Sequence, residues 1–145
     1  MTTHLPNFDL DGFLPYRLTV AAEMLSAEFA AHYRAEYGIS VAEWRVMVHL
    51  VHSVEVSVRD LEARVSLEKS KASRAASRLG AEGYIRKAAH DRDRRLVNLS
   101  LTEKGRKLMA RLLPVAIAYQ TELEARLVGQ VAPLLAALVA LEHRG

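Results

Sequence analysis

The sequence predicts a mainly α-helical protein carrying one small β-hairpin. Apolar residues recur at three-to-four spacing through most of the 145 residues, and residues 84–101 break that period into short β-prone runs. Charge supplies a further observation. From Lys69 to Arg95 there are nine Lys/Arg against three Asp/Glu, net +6, whereas the remaining eleven basic and fourteen acidic residues sum to −3. The excess positive charge sits in one stretch, and a polyanion is the natural partner of such a cluster.

Composition narrows the class. A chain of this length, 50% apolar, buries one real core and leaves little for a second independent domain. Cysteine is absent, which excludes disulfides, thiolate metal sites and switching by thiol oxidation. The N-terminus MTTHLPNFDLDGF lacks a basic region followed by an apolar run, and no segment approaches the roughly 20 apolar residues of a membrane span. The expectation is a soluble, cytoplasmic protein with no membrane partner.

Residues 1–13 mix Phe8, Leu10 and Phe13 with Pro6, Asp9, Asp11 and Gly12, the pattern of an irregular arm with apolar anchors. From Leu14 to about Tyr37, Leu14, Leu18, Ala21, Ala22, Leu25, Phe29 and Tyr33 predict one long amphipathic helix, stopped by Gly38. Ser40-Val41-Ala42-Glu43 is a capping-box pattern that opens a second helix with Val41, Trp44, Met47, Val48 and Val51 on one side. Ser57 caps a third, whose inward residues are Val58, Leu61 and Val65. The fourth runs from about Glu68 to Ala81. At 100° per residue its Ala72, Ala75, Ala76 and Leu79 share one sector, and Ser70, Ser73, Arg74, Ser77 and Arg78 hold the opposite one. Two short helices, the second with a Ser/Arg outer face, are the layout of a helix-turn-helix whose second helix enters the major groove.

Residues 84–89 and 96–101 would pair as a hairpin. Its tip, residues 90–95 (HDRDRR), is too charged for a core and too long for a two-residue turn, so it should project as a wing. Thr102 caps a long fifth helix with Leu108, Leu112, Ala116, Tyr119, Leu123 and Leu127 in line, interrupted by Pro114, which should kink it or deprive the Ala110 carbonyl of its partner. Pro133 marks the first turn of a last helix whose Leu134, Leu135, Leu138, Val139 and Leu141 leave little polar face. Such a helix needs covering from several sides, which a second copy would supply.

The element order, the wing Asp91-Arg92-Asp93-Arg94-Arg95 and the run Leu101-Thr102-Glu103-Lys104-Gly105 resemble the winged helix-turn-helix regulators of the MarR family. So does the recognition-helix pattern Ser70-Lys71-Ala72-Ser73-Arg74 ending in Leu79-Gly80-Ala81-Glu82-Gly83-Tyr84-Ile85. Members often carry Asp-Pro-Arg-Asp-Arg-Arg at the wing; His90 and Asp91 stand in the first two places here. The resemblance implies one domain over 1–145, with residues 1–38 and 102–145 forming a dimerisation region and 40–101 a DNA-binding lobe. It implies a homodimer on a pseudo-palindromic operator of double-stranded DNA, commonly a repressor released by a small aromatic or acidic ligand. No catalytic step and no cofactor is implied.

On that reading Arg74 grips a base edge, and Ser70, Ser73 and Ser77 contact bases or phosphates. Lys69, Lys71 and Arg78, at the borders of the face, contact phosphates. The bland alternative for all of them is a solvated helix face. Arg92, Arg94 and Arg95 are either a charge run balanced by Asp91 and Asp93 or a minor-groove probe. Family correspondence favours Arg94 or Arg95 as the inserted side chain, positioned by Asp93. Tyr16, Trp44 and Met47 are candidate walls of an effector pocket or plain core, with His32 or Arg17 as partners for an acidic ligand. His49 and His52 stand three apart, but no third ligand lies at a telling distance, so no metal is expected. No phosphate loop, HExxH or nucleophile elbow occurs, so the chain reads as a non-enzyme. The alternative is a protein-interaction module whose basic face binds an acidic partner. Replacing Arg95 by Ala is expected to weaken operator binding by about 1–3 kcal/mol in a titration at fixed salt; unchanged affinity would remove Arg95 from the interface.

Overall fold

The computed structural model describes residues 2–53, 56–64, 69–89 and 97–143. The elements run α1 (Leu14–Ala30), α2 (Arg34–Tyr37), α3 (Val41–His52), β1 (Val56–Ser57), α4 (Val58–Arg64), α5 (Lys69–Ala81), β2 (Ile85–Ala89), β3 (Val97–Leu101), α6 (Glu103–Leu127) and α7 (Val131–Glu142). They form two compact units, Met1–Val41 and Ala42–Gly145.

In the first unit the arm is braced locally. The Gly12 N–H donates to Asp9 Oδ1 at 3.2 Å, the Arg17 guanidinium donates to the Asp11 carbonyl at 2.8 Å, and Phe8 meets Phe13 edge-on with centroids 5.0 Å apart. The single helix expected over 14–37 is two. At Ala31–Tyr33 the ladder tightens: His32 N–H donates to Phe29 O and Tyr33 N–H to Ala30 O, three residues back instead of four. Tyr33 is buried and meets Phe29 edge-on, with centroids 5.0 Å apart. Gly38, at φ +67°, ends α2 as expected.

In the second unit, α3 turns Glu43, Val46, Met47 and Leu50 inward. That corrects the face chosen from sequence: Val51 is 38% exposed, while Trp44 and Val48 are half-buried. The helix is apolar around most of its circumference, so periodicity alone does not select a side. Ser57 Oγ accepts from the Asp60 N–H at 3.1 Å and caps α4, whose Leu61 is buried. Val65 lies outside the described residues.

The hairpin pairs Ile85 with Leu101 through to Ala89 with Val97, and residues 90–96 that join its strands lie outside the described residues. A third strand joins it. β1 pairs antiparallel with β3, Val56 opposite Leu99 and Ser57 opposite Asn98, giving the order β1-β3-β2. Two residues are too few to show alternation, so the sequence does not announce this strand. Val56, Ile85 and Leu99 are buried.

The link from α5 through the sheet to α6 is closed at a single corner. The Tyr84 N–H donates to the Leu79 carbonyl at 2.9 Å and the Gly83 N–H to the Gly80 carbonyl at 3.1 Å, a Schellman closure with Gly83 at φ +81°. Thr102 caps α6, its Oγ1 accepting from the Gly105 N–H at 3.1 Å. From there α6 buries Leu108, Met109, Leu112 and Tyr119 and continues through Pro114 without interruption of the helix. A turn at Val128 and Gly129, both with positive φ, bends the chain by 102° into α7, which buries none of its residues. No single helix among the described residues is long and apolar enough to cross a membrane.

A Cβ on Gly105 would collide with the Tyr84 carbonyl oxygen, a backbone atom that cannot swing aside. Gly105→Ala is therefore expected to lower the unfolding free energy by about 1–3 kcal/mol, the scale of an overpacked contact, in chemical denaturation. An unchanged midpoint would show that the corner gives way freely.

Candidate nucleic-acid interface

Helix α5 packs against α4 and β2. Its contacting face is made of small side chains: Ala72, Ala75 and Ala76 are buried together with Leu79. Short side chains on the inner face allow the α5 backbone to lie close to its neighbours. Ser70, Lys71, Ser73, Arg74, Ser77 and Arg78 are all exposed, as the sectors read from sequence required. Lys69 is the first residue of α5, and its side chain is not described. Residues 69–89 carry six basic side chains against Glu82 alone.

The exposed cations differ in freedom. Arg74 Nε donates to the Ser70 carbonyl at 3.3 Å, an exposed contact one turn back that a stronger acceptor could displace. Arg78 is more constrained. Its Nε stands 3.4 Å from Glu43 Oε2 of α3; the Glu43 side chain is 4% exposed and that of Arg78 61%. A carboxylate that deep is stable only when held by donors, and Arg78 is one of them. Glu43 is the residue whose role sequence reasoning missed. The capping-box spacing from Ser40 suggested a local use at the start of α3, and nothing local marks a partner thirty-five residues on.

Lys87 was also missed. It lies opposite Leu99 in the ladder and so shares the face of Ile85 and Leu99 that turns toward the core, yet it is exposed. Its Cε comes within 4.0 Å of a Cβ built on Gly80, so the aliphatic stem runs along the C-terminal end of α5 while the ammonium is left outside. Two adjacent bases, Arg86 and Lys87, in an otherwise apolar strand were the available signal. Arg92, Asp93, Arg94 and Arg95 of the wing lie outside the described residues.

The candidate effector residues differ in burial. Met47 is fully buried, Trp44 is half-buried, and Tyr16 is 42% exposed on α1. A groove of about 360 Å³ lies instead along the outer side of α3, lined by Val48, His49, Val51, His52 and Leu113. A second, of about 260 Å³, shares Val51 and Leu113 and adds Leu101, Arg106, Met109 and Ala110. His49 Nδ1 is 2.7 Å from the Arg45 carbonyl; because a carbonyl only accepts, Nδ1 carries the proton and a neutral ring keeps Nε2 as an acceptor. No group of three or more potential metal ligands occurs among the described residues.

A recognition-type helix with an alanine inner face, preceded by a short helix and followed by the hairpin of a three-stranded antiparallel sheet, defines a winged helix-turn-helix protein. The sequence profile of the MarR family matches residues 37–96, which span the helix-turn-helix and most of the wing. The chain is 35% identical over 63 residues to the transcriptional repressor MprA of Escherichia coli K12, covering 43% of this chain and 35% of that protein. The chain matches about half the length of one curated regulator, BilQ of Clostridium symbiosum (49%), and about a third of MprA (35%). Among solved structures, a MarR family transcriptional regulator of Silicibacter pomeroyi DSS-3 has a TM-score of 0.78 at 28% identity, covering 94% of this chain and 100% of that one. NadR, solved in complex with 4-hydroxyphenylacetate, has a TM-score of 0.79 at 22% identity, covering 94% and 96%. Residues 37–96 thus resemble the MarR family in sequence, and the fold as a whole is that of MarR family structures.

The Glu43–Arg78 pair ties α5 to α3. Glu43→Gln keeps the shape and removes the charge, and it is expected to cost about 1–3 kcal/mol in denaturant unfolding, as for a hydrogen bond to a charged group. An unfolding midpoint equal to that of the wild type would show that the pair does not anchor α5.

Proposed function

We propose that this chain acts as a homodimeric, sequence-specific DNA-binding regulator, a repressor released by a small aromatic or acidic ligand. The observation that carries the reading is the outer face of α5. Ser70, Ser73, Arg74 and Ser77 are exposed together on a helix held close by alanines, with Lys71 and Arg78 at its borders. Arginine matches the two acceptors of a guanine edge bidentately, and serine donates or accepts toward base or phosphate. The bordering cations, now including Lys87, supply the sequence-independent part of the affinity. In the wing, Arg94 or Arg95 would enter the minor groove.

Homodimerisation is supported by what the chain alone leaves uncovered. Leu14 and Leu18 of α1, Ile117 of α6, and Leu135, Val139 and Leu141 of α7 are exposed apolar side chains. A second copy burying them would present two α5 helices to half-sites one helical turn apart, about 34 Å. Repression takes its support from the curated relative MprA, and the role goes with a cytoplasmic location. For the ligand, the grooves beside α3 are better candidates than Tyr16, Trp44 and Met47, because they offer apolar walls with His49, His52 and Arg106 at their edges. NadR has the same fold and was solved with 4-hydroxyphenylacetate, but at 22% identity that likeness concerns the fold alone.

Selection of bound duplexes from a random pool, followed by titration at several salt concentrations, tests the reading. A short inverted repeat is expected, with affinity falling steeply as salt rises. Equal affinity for all duplexes would instead favour a protein-interaction module. Against the selected duplex, Arg74→Ala is expected to lose about 1–3 kcal/mol and to relax preference at one position per half-site.

A further inference from the structure

We propose that Thr102, with Lys104, forms a rigid joint that makes the orientation of α5 follow that of α6. Three consecutive carbonyls leave the end of α5, and each finds a donor at the start of α6. The Glu82 carbonyl accepts from Lys104 Nζ at 2.7 Å, the Gly83 carbonyl from Thr102 Oγ1 at 2.6 Å, and the Tyr84 carbonyl from the Thr102 N–H at 3.1 Å. The Thr102 hydroxyl is used twice, because the same oxygen accepts the Gly105 N–H that opens α6. One proton and two lone pairs allow both. The Lys104 ammonium also lies 4.6 Å from the Tyr84 ring centroid, and Gly105 leaves the space that the Tyr84 carbonyl occupies.

These contacts join segments about twenty residues apart without an intervening side-chain core that could slide. Free carbonyls after a helix are normally left to water. Here the whole turn 82–84 is taken up by α6, so rotating α6 without α5 would break three hydrogen bonds at once. Thr102 is thus a positioning residue: it touches no DNA base on this reading and sets where α5 points. The inference rests on the proposed function for its consequence, since a dimer held through α6 would use the joint to set the separation of its two recognition helices.

The chain has no cysteine, so a label pair at Lys71→Cys on α5 and Arg111→Cys on α6 reports the joint directly. Labelled chain diluted into excess unlabelled chain is measured without DNA by pulsed electron spin resonance. A single narrow distance is expected in the otherwise wild-type chain and in Thr102→Ser. Thr102→Val, which keeps the shape and the N–H but loses both hydroxyl bonds, is expected to broaden the distribution. Lys104→Met serves as the second variant should Thr102→Val fold poorly, and is expected to broaden it less. In unlabelled chains, Thr102→Val should weaken binding to the selected duplex at least tenfold and leave affinity for random duplex within about twofold, with Thr102→Ser restoring the preference. An unbroadened distance in both Thr102→Val and Lys104→Met overturns the joint, whatever the wild-type chain does with DNA. Broadening in a wild-type background that prefers no duplex keeps the joint and removes the DNA reading.

Discussion

The inner face of α5 is the constraint on which the rest depends. A helix that is to project a polar surface must be held by its other side, and Ala72, Ala75, Ala76 and Leu79 do this with very little side-chain volume. Larger residues there would lift α5 away from α4 and β2, and the Ser/Arg face would move with it. The hydrophobic gain per alanine is small, so close approach has to be secured elsewhere. It is secured at the ends: by Glu43 reaching Arg78, and by the corner where Gly83, Tyr84, Thr102 and Gly105 meet.

From this follows a division of labour along the chain. The sheet is small because its task is local: β1 and β2 flank β3, and Leu99 and Ile85 fill the core. Helix α6 begins at the corner and runs 25 residues, burying Leu108, Met109, Leu112 and Tyr119 and exposing Ile117 and, near its end, Leu127. The exposed Leu134, Leu135, Val139 and Leu141 of α7 are the observation behind the proposed second copy. The outer side of α3 also leaves apolar area uncovered, and His49 and His52 give its groove a polar edge.

What was legible in the sequence was whatever a local pattern states unambiguously. The two faces of α5 were readable because alanine and leucine on one side and serine and arginine on the other leave no competing assignment. The Thr102 cap and the Ser57 cap were readable for the same reason, since a capping residue acts within three positions. The inward face of α3 was not, because Val41, Trp44, Val48 and Val51 form as good a stripe as Glu43, Val46, Met47 and Leu50. A buried glutamate is invisible until its arginine is found on another helix. No breaker residue marks the tightened turn at Ala31–Tyr33, and the strand β1 depends on pairing with β3, some forty residues on. Thr102 shows both sides at once: its bond to Gly105 was anticipated, and its bond to Gly83 needed the fold.

The most direct measurement of the central claim, that the outer face of α5 reads DNA, is a nuclear magnetic resonance titration following arginine Nε–Hε signals as the selected duplex is added. The account predicts that the Arg74 signal shifts and saturates at one duplex per two chains, with its bond to the Ser70 carbonyl exchanged for a base or phosphate acceptor. An Arg74 signal that stays in place while the complex forms would contradict it.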